Sequence, residues 1–148
     1  MKAVIRKAGT KDLARLIEFL GKASLGTDGI TEETVDCFLL MEDLDGNIKG
    51  SLGMEPYGRN GLLRSLVVSP GQSEKEIFIL FAEMLKVARE KGINSLFLAT
   101  NKSVTVPFFE MLGFEPMAGG NLPKEFSASE HIQHILSVDN SLFLKFTL

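Results

Sequence analysis

Residues 62–100, LLRSLVVSPGQSEKEIFILFAEMLKVAREKGINSLFLAT, decide the fold. An apolar run, LLRSLVV, leads through a polar turn into a long amphipathic segment, and a second apolar run follows. Ile77, Leu80, Phe81, Met84, Leu85 and Ala88 recur at helical spacing. That spacing predicts a helix from roughly Glu74 to Lys91, with Gly92 closing it. The flanking runs are short and bounded by turn residues, which predicts buried strands. The turn between the first strand and the helix carries Glu74, Lys75 and Glu76. Strand-to-helix turns that hold phosphate usually carry glycines, because glycine lets backbone amides crowd round an anion.

Working outward, AVIRKA alternates well enough for a short strand, and GTKDLARLIEFLGKAS changes to helical period. Leu13, Leu16, Ile17 and Leu20 share one face, Thr10 is the expected N-cap, and Gly21 or Gly26 the expected stop. Residues 26–34, GTDGITEET, read as a polar, turn-rich loop, either a substrate-gating loop or a plain connector. VDCFLLMED and IKGSLGMEPY read as strands joined at Asp45-Gly46, a hairpin signal. Gly50 and Gly53 inside the second of these suggest a bulge or a close backbone approach. GRNG is a second tight connection, so the middle of the chain is an antiparallel meander. Beyond residue 100, SVTVPFFEMLG predicts a short helix with Pro107 in its first turn and Gly113 after its end. FEPMAGG begins a strand or loop, LPKEFSASEHIQHIL contains a short helix, and NSLFLKFTL closes the chain as a strand. The class that results is α+β, a mixed, mostly antiparallel central sheet flanked by helices on both faces.

The 148 residues read as one domain, 1–148, with room for a real core. Net charge is -3 with both signs interspersed, which argues against nucleic acid or a membrane surface as partner. One cysteine, Cys37, excludes a disulfide framework and a thiolate metal site, and it reads as a small core residue. His131 and His134 have no third ligand in view, so no metal site is expected. No leader-like apolar region and no membrane-length run are visible, and a cytoplasmic protein is the expectation.

Three pieces in order, GLLRSLVVSP, AREKGINSLFL and VPFFEMLGFEP, make the chain similar to the GNAT superfamily of N-acetyltransferases over nearly its whole length. Within it, GMEPYGRNGLLRSLVV and LPKEFSASEH resemble the branch that acetylates glutamate-like amino acids and their analogues. The resemblance implies the GNAT acyl-CoA N-acyltransferase fold, acetyl-CoA as co-substrate, and a small-molecule amine as acceptor. This fold often forms homodimers. The alternative is a non-catalytic GNAT-fold binding or regulatory module that has lost CoA binding.

The resemblance also implies site residues. Backbone groups of Leu66, Val67 and Val68 would grip the pantetheine and offer an amide to the thioester carbonyl. The pyrophosphate loop, Arg/Gln-x-x-Gly-x-Gly/Ala in the family, falls on Ser73, Glu74, Lys75, Glu76, Ile77 and Phe78. Both small positions are lost, to Glu76 and Phe78, so the loop is degenerate. Read by themselves, Glu74 and Glu76 are first-turn acids that suit a helix dipole. Phe109 stands where the family often has a tyrosine acid. A thiol leaving group, with a pKa of roughly 8.5, can depart without one, and Phe109 reads as core or pocket wall. Asn101 would touch the cofactor arm. Glu55 is the candidate base for the acceptor's ammonium. Arg64, alone in an apolar strand, would bind the acceptor's carboxylate or pair with Glu55 to hold the sheet. Ser65 should face away from Arg64 in a regular strand. Tyr57, the only tyrosine, is a further substrate-side candidate.

Overall fold

The computed structural model describes residues 4–100, 102–117, 122–128 and 142–148. Its elements are β1 (Val4–Lys7), α1 (Leu13–Lys22), β2 (Phe38–Glu42), β3 (Ile48–Tyr57), β4 (Asn60–Val68), α2 (Glu74–Glu90), β5 (Ser95–Thr100), α3 (Val106–Leu112), β6 (Glu115–Met117) and β7 (Leu142–Thr147). The sheet runs β1-β2-β3-β4-β5-β7-β6. β1–β2, β2–β3, β5–β7 and β6–β7 pair antiparallel, and β4–β5 pairs parallel. The parallel pair follows from the α2 crossover between its strands, since two parallel neighbours need a long connection. This is the mixed, mostly antiparallel α+β class expected.

The chain forms two compact units. The first comprises Met1–Glu55 and Arg64–Val87. Ala8, Leu16, Leu20, Ile30, Val35, Cys37, Phe38 and Leu40 form a core there, with Leu13, Phe19, Ile48 and Val67 packed against it. α1 contributes Leu16 and Leu20 as expected, but Ile17 is exposed. The helix does not stop at Gly21 or Gly26. Ser24 adopts a left-handed φ of 60°, and Leu25 N–H returns to Leu20 O at 3.0 Å, the geometry of a Schellman end. Gly53 faces the Phe38 ring so closely that a Cβ there would clash with it, which explains the glycine inside β3. A 3-10 turn, Val35–Cys37, takes the first residues of the run expected to be all strand.

α1 is also entered differently from expectation. The cap is Gly9, not Thr10: its N–H donates to Asp12 Oδ2 at 2.8 Å, and a 3-10 turn, Thr10–Asp12, precedes the helix. Asp12 is 1% exposed. Arg6 holds it with Nη1 and Nη2 at 2.9 Å each, and Arg15 Nη1 adds a contact at 3.3 Å. Both arginines also reach Glu42 on β2, Arg6 Nε at 2.7 Å. Hydrogen bonds from Arg6 hold the carboxyl of Asp12 well below the usual carboxylate range, and that of Glu42 lower than usual. This four-residue ion cluster ties β1, β2 and the start of α1 together.

The second unit comprises Pro56–Leu63 and Ala88–Leu148. Leu62, Phe97, Phe126 and Phe143 form its core, with Tyr57, Ala99, Met117 and Leu122 packed against it. α3 has Pro107 in its first turn and ends at Gly113, whose φ is 109°. A Cβ at Gly113 would sit 2.7 Å from the Phe146 ring, so glycine is required twice over. Lys124–Ala128 forms a 3-10 turn in the polar segment. His131 and His134 lie outside the described residues. Among the described residues no helix is long and apolar enough to cross a membrane.

Candidate functional site

β4 carries a kink at its centre. Ser65 has φ 58°, a left-handed conformation that non-glycine residues rarely adopt within a strand. Such a residue costs on the order of 1–3 kcal/mol and persists only where its surroundings hold it. Here Ser51, fully buried, donates its Oγ to Ser65 O at 2.7 Å, and Arg64 Nε donates to Ser65 Oγ at 3.2 Å. The kink overturns one expectation: Ser65 does not face away from Arg64, because the strand is not regular where the two meet. Immediately after it come Leu66, Val67 and Val68, all half-buried. The parallel register with β5 covers the other end of the strand, from Asn60 to Leu62.

Glu55, near the end of β3, and Arg64, at the middle of β4, come together. Arg64 Nη1 lies 3.7 Å from Glu55 Oε2, with side chains 2% and 22% exposed. The guanidinium does more than pair. Nη1 donates to Asp28 O at 2.6 Å and Nη2 to Gly26 O at 3.3 Å, so Arg64 anchors the 26–29 loop. Gly29, at φ 82°, packs close: a Cβ there would lie 3.6 Å from Arg64 Nη1 and 3.7 Å from Glu55 Oε2. Thr34 closes the loop from its far end, donating Oγ1 to Gly29 O at 2.7 Å and accepting Thr31 N–H at 2.9 Å. The turn-rich segment is therefore a built loop seated on the acid–base pair. The lone arginine of β4 signalled a buried cation in need of acceptors, but not that loop carbonyls would supply them.

The turn into α2 is a capping box. Ser73 N–H donates to Glu76 Oε1 at 3.0 Å, and Ser73 Oγ lies 3.2 Å from the same oxygen. In return Glu76 N–H donates to Ser73 Oγ at 3.2 Å. Glu76 is half-buried, Glu74 and Lys75 are exposed, and Ile77 and Phe78 are half-buried. The first-turn acids expected from the dipole are present, but Glu76 acts through its partner Ser73, a pairing the sequence reading did not make.

The remaining candidates lie in the second unit or outside the description. Tyr57 meets Phe126 edge-on, ring centroids 5.4 Å apart, as part of the core. Phe109 is buried between Phe108 and Phe114, in line with its reading as core. Asn101 lies outside the described residues.

Comparison with known proteins gives the class first. The fold is that of the GNAT acyl-CoA N-acyltransferases. N-acetylglutamate synthase from Neisseria gonorrhoeae, complexed with coenzyme A and N-acetyl-glutamate, matches all of this chain at 25% identity and a TM-score of 0.77. The chain spans 35% of that protein's length. Rv2747 from Mycobacterium tuberculosis, in complex with CoA and NLQ, matches over 98% of this chain and 99% of its own at 20% identity, TM-score 0.74. A GNAT-family acetyltransferase from Staphylococcus aureus Mu50 matches over 99% of both chains at 19% identity, TM-score 0.72. No family model matches the sequence. The chain is 31% identical over 142 residues to the uncharacterized protein YwlB of Bacillus subtilis, covering 95% of each, and it belongs to the family of that protein.

Proposed function

We propose that this chain is an N-acyltransferase that moves an acyl group, acetyl in the simplest case, from a pantetheine thioester to a small amine. The likeness to N-acetylglutamate synthase favours a glutamate-like amino acid as acceptor and acetyl-CoA as donor. The observation that carries the reading is the Glu55–Arg64 pair beside the kinked strand. Its carboxylate belongs to β3, the neighbour of β4, whose half-buried residues Leu66–Val68 follow the kink.

The residues present fit one end of a CoA-type donor and not the other. Leu66–Val68 follow the kink at Ser65 and lie beyond the Asn60–Leu62 stretch that pairs with β5, which suits the pantetheine arm. Glu76 already holds the Ser73 amide at the α2 turn, which does not suit a diphosphate. Bound, a thioester supplies an acyl carbon open to attack by an amine. Glu55 takes the first proton from the acceptor's ammonium and passes it to solvent. The nitrogen lone pair forms the C–N bond, and the C–S bond breaks. A second proton then leaves the nitrogen and ends on the departing thiolate. An amide N–H in the Leu66–Val68 stretch holds the carbonyl oxygen as it gains charge. Arg64 is better placed to position than to capture substrate, because Gly26 O and Asp28 O take its terminal nitrogens. It replaces carboxylate capture with a scaffold that keeps Glu55 and the 26–29 loop together.

Glu55→Gln should lower kcat for acetylation of the best amino-acid acceptor about 100-fold with little change in melting temperature. An unaltered kcat removes Glu55 from the chemistry. The second reading, a non-catalytic GNAT-fold binding or regulatory module that has lost CoA binding, draws its support from the capped α2 turn. It predicts no CoA binding and no N-acylated product from any amine offered.

A further inference from the structure

We infer that the start of α2 is closed to a diphosphate by the chain's own Glu76 carboxylate, and that the acyl donor is recognised through its pantetheine arm alone. The inference rests on the acyl-transfer reading for the donor, and on geometry for the closure. A helix start attracts anions because its first amides lack partners and its dipole is positive there. At the α2 turn four amides are committed. Ser73 N–H goes to Glu76 Oε1 at 3.0 Å, and Glu76 N–H is shared between Ser73 Oγ at 3.2 Å and Ser73 O at 3.1 Å. Ile77 N–H reaches Ser73 O at 3.2 Å, and Gln72 N–H reaches Ser69 O at 3.4 Å. The anion that the dipole favours is already present, covalently attached.

Charge points the same way. Between Ser69 and Leu80 the sequence offers one cation, Lys75, against Glu74 and Glu76. Lys75 is exposed and flexible, whereas the carboxylate of Glu76 sits on the turn itself. A diphosphate arriving there meets a like charge at hydrogen-bonding range and must displace it. It would also meet side chains at every position from Gln72 to Ile79, where close approach to backbone is easiest for glycine. The donor class that fits is therefore a pantetheine thioester whose remote end contributes no affinity. A phosphopantetheine thioester with its phosphate directed to solvent, or CoA with its nucleotide left outside the site, both belong to it.

Isothermal titration of the full chain with CoA and with pantetheine tests this, on the wild type, Glu76→Gln and Glu76→Ala. Glutamine keeps the capping bonds and removes the charge, while alanine removes both. The expected result is that the wild type binds CoA and pantetheine with dissociation constants within about threefold. Glu76→Ala should then tighten CoA at least about tenfold and leave pantetheine unchanged, with Glu76→Gln between. CoA binding the wild type more than tenfold tighter than pantetheine, with no gain in either variant, overturns the inference. If neither compound binds the wild type, the acyl-transfer reading fails by itself. CoA binding to Glu76→Ala would still establish the closure in that case, and its absence from the variant too would refute it.

Discussion

Helices α1 and α2 begin with the same device in opposite settings. At α1, Gly9 N–H is capped by a carboxylate three residues on, Asp12, at 2.8 Å. At α2, Ser73 N–H is capped by a carboxylate three residues on, Glu76, at 3.0 Å. Asp12 is buried and held by Arg6 and Arg15, which also grip Glu42. Glu76 is half-buried and shares its turn with Glu74 and exposed Lys75. The same carboxylate-to-amide bond thus gives a fixed tie at one helix and a local cap at the other. The difference lies in what tertiary structure adds: burial and two guanidinium groups make removal of Asp12 costly, while water can replace the bonds of Glu76.

Asp12→Ala should break the comparison open most widely. Loss of one partner from a buried charge cluster costs about 3 kcal/mol, read as a fall in the denaturation midpoint. A cost no greater than that of a surface substitution would show that the cluster merely decorates the surface.

Acid provides the next largest effect. Asp12 and Glu42 have folded pKa values below their ordinary 3.8 and 4.5. As pH falls the unfolded chain therefore takes up protons before the folded one does. Their contribution is complete above the ordinary values and is lost as pH drops through the lowered ones. Melting temperature should fall steeply below those values in the wild type and less steeply in Asp12→Ala. Equal slopes would place the acid-sensitive groups elsewhere.

Glu76→Ala should be the mildest, costing about 1 kcal/mol, as the loss of a helix cap does. A loss as large as that of Asp12→Ala would erase the distinction between tie and cap.

Much of the fold was legible because its signals are local. The period of Ile77 to Ala88, the Asp45-Gly46 hairpin, and the glycines of β3 and after α3 each carry their own physical reason. Gly53 could be read as a close approach because a strand interior gains nothing else from glycine. The stop of α1 was not legible. Glycines at 21 and 26 looked better suited than Ser24, which takes the left-handed position anyway. The cap of α1 was missed for a different reason, since Gly9 has no side chain to mark it and is capped by Asp12, three residues on. At the candidate site, Glu55 and Arg64 were visible as an acid at a strand end and a lone cation among apolar residues. That Arg64 spends its nitrogens on Gly26 and Asp28 carbonyls was not, because backbone acceptors leave no trace in residue identity. The kink at Ser65 was hidden likewise: serine does not advertise positive φ as glycine does.

Amide chemical-shift mapping of the 15N-labelled chain during CoA titration tests the central claim most directly. Shifts at Leu66–Val68, with Ser73–Ile77 left in place, are the expected result: the strand receives the donor and the capped turn does not. Large shifts at Ser73–Ile77, with loss of the protection that Glu76 gives the Ser73 amide, would contradict it and make the turn a phosphate site after all.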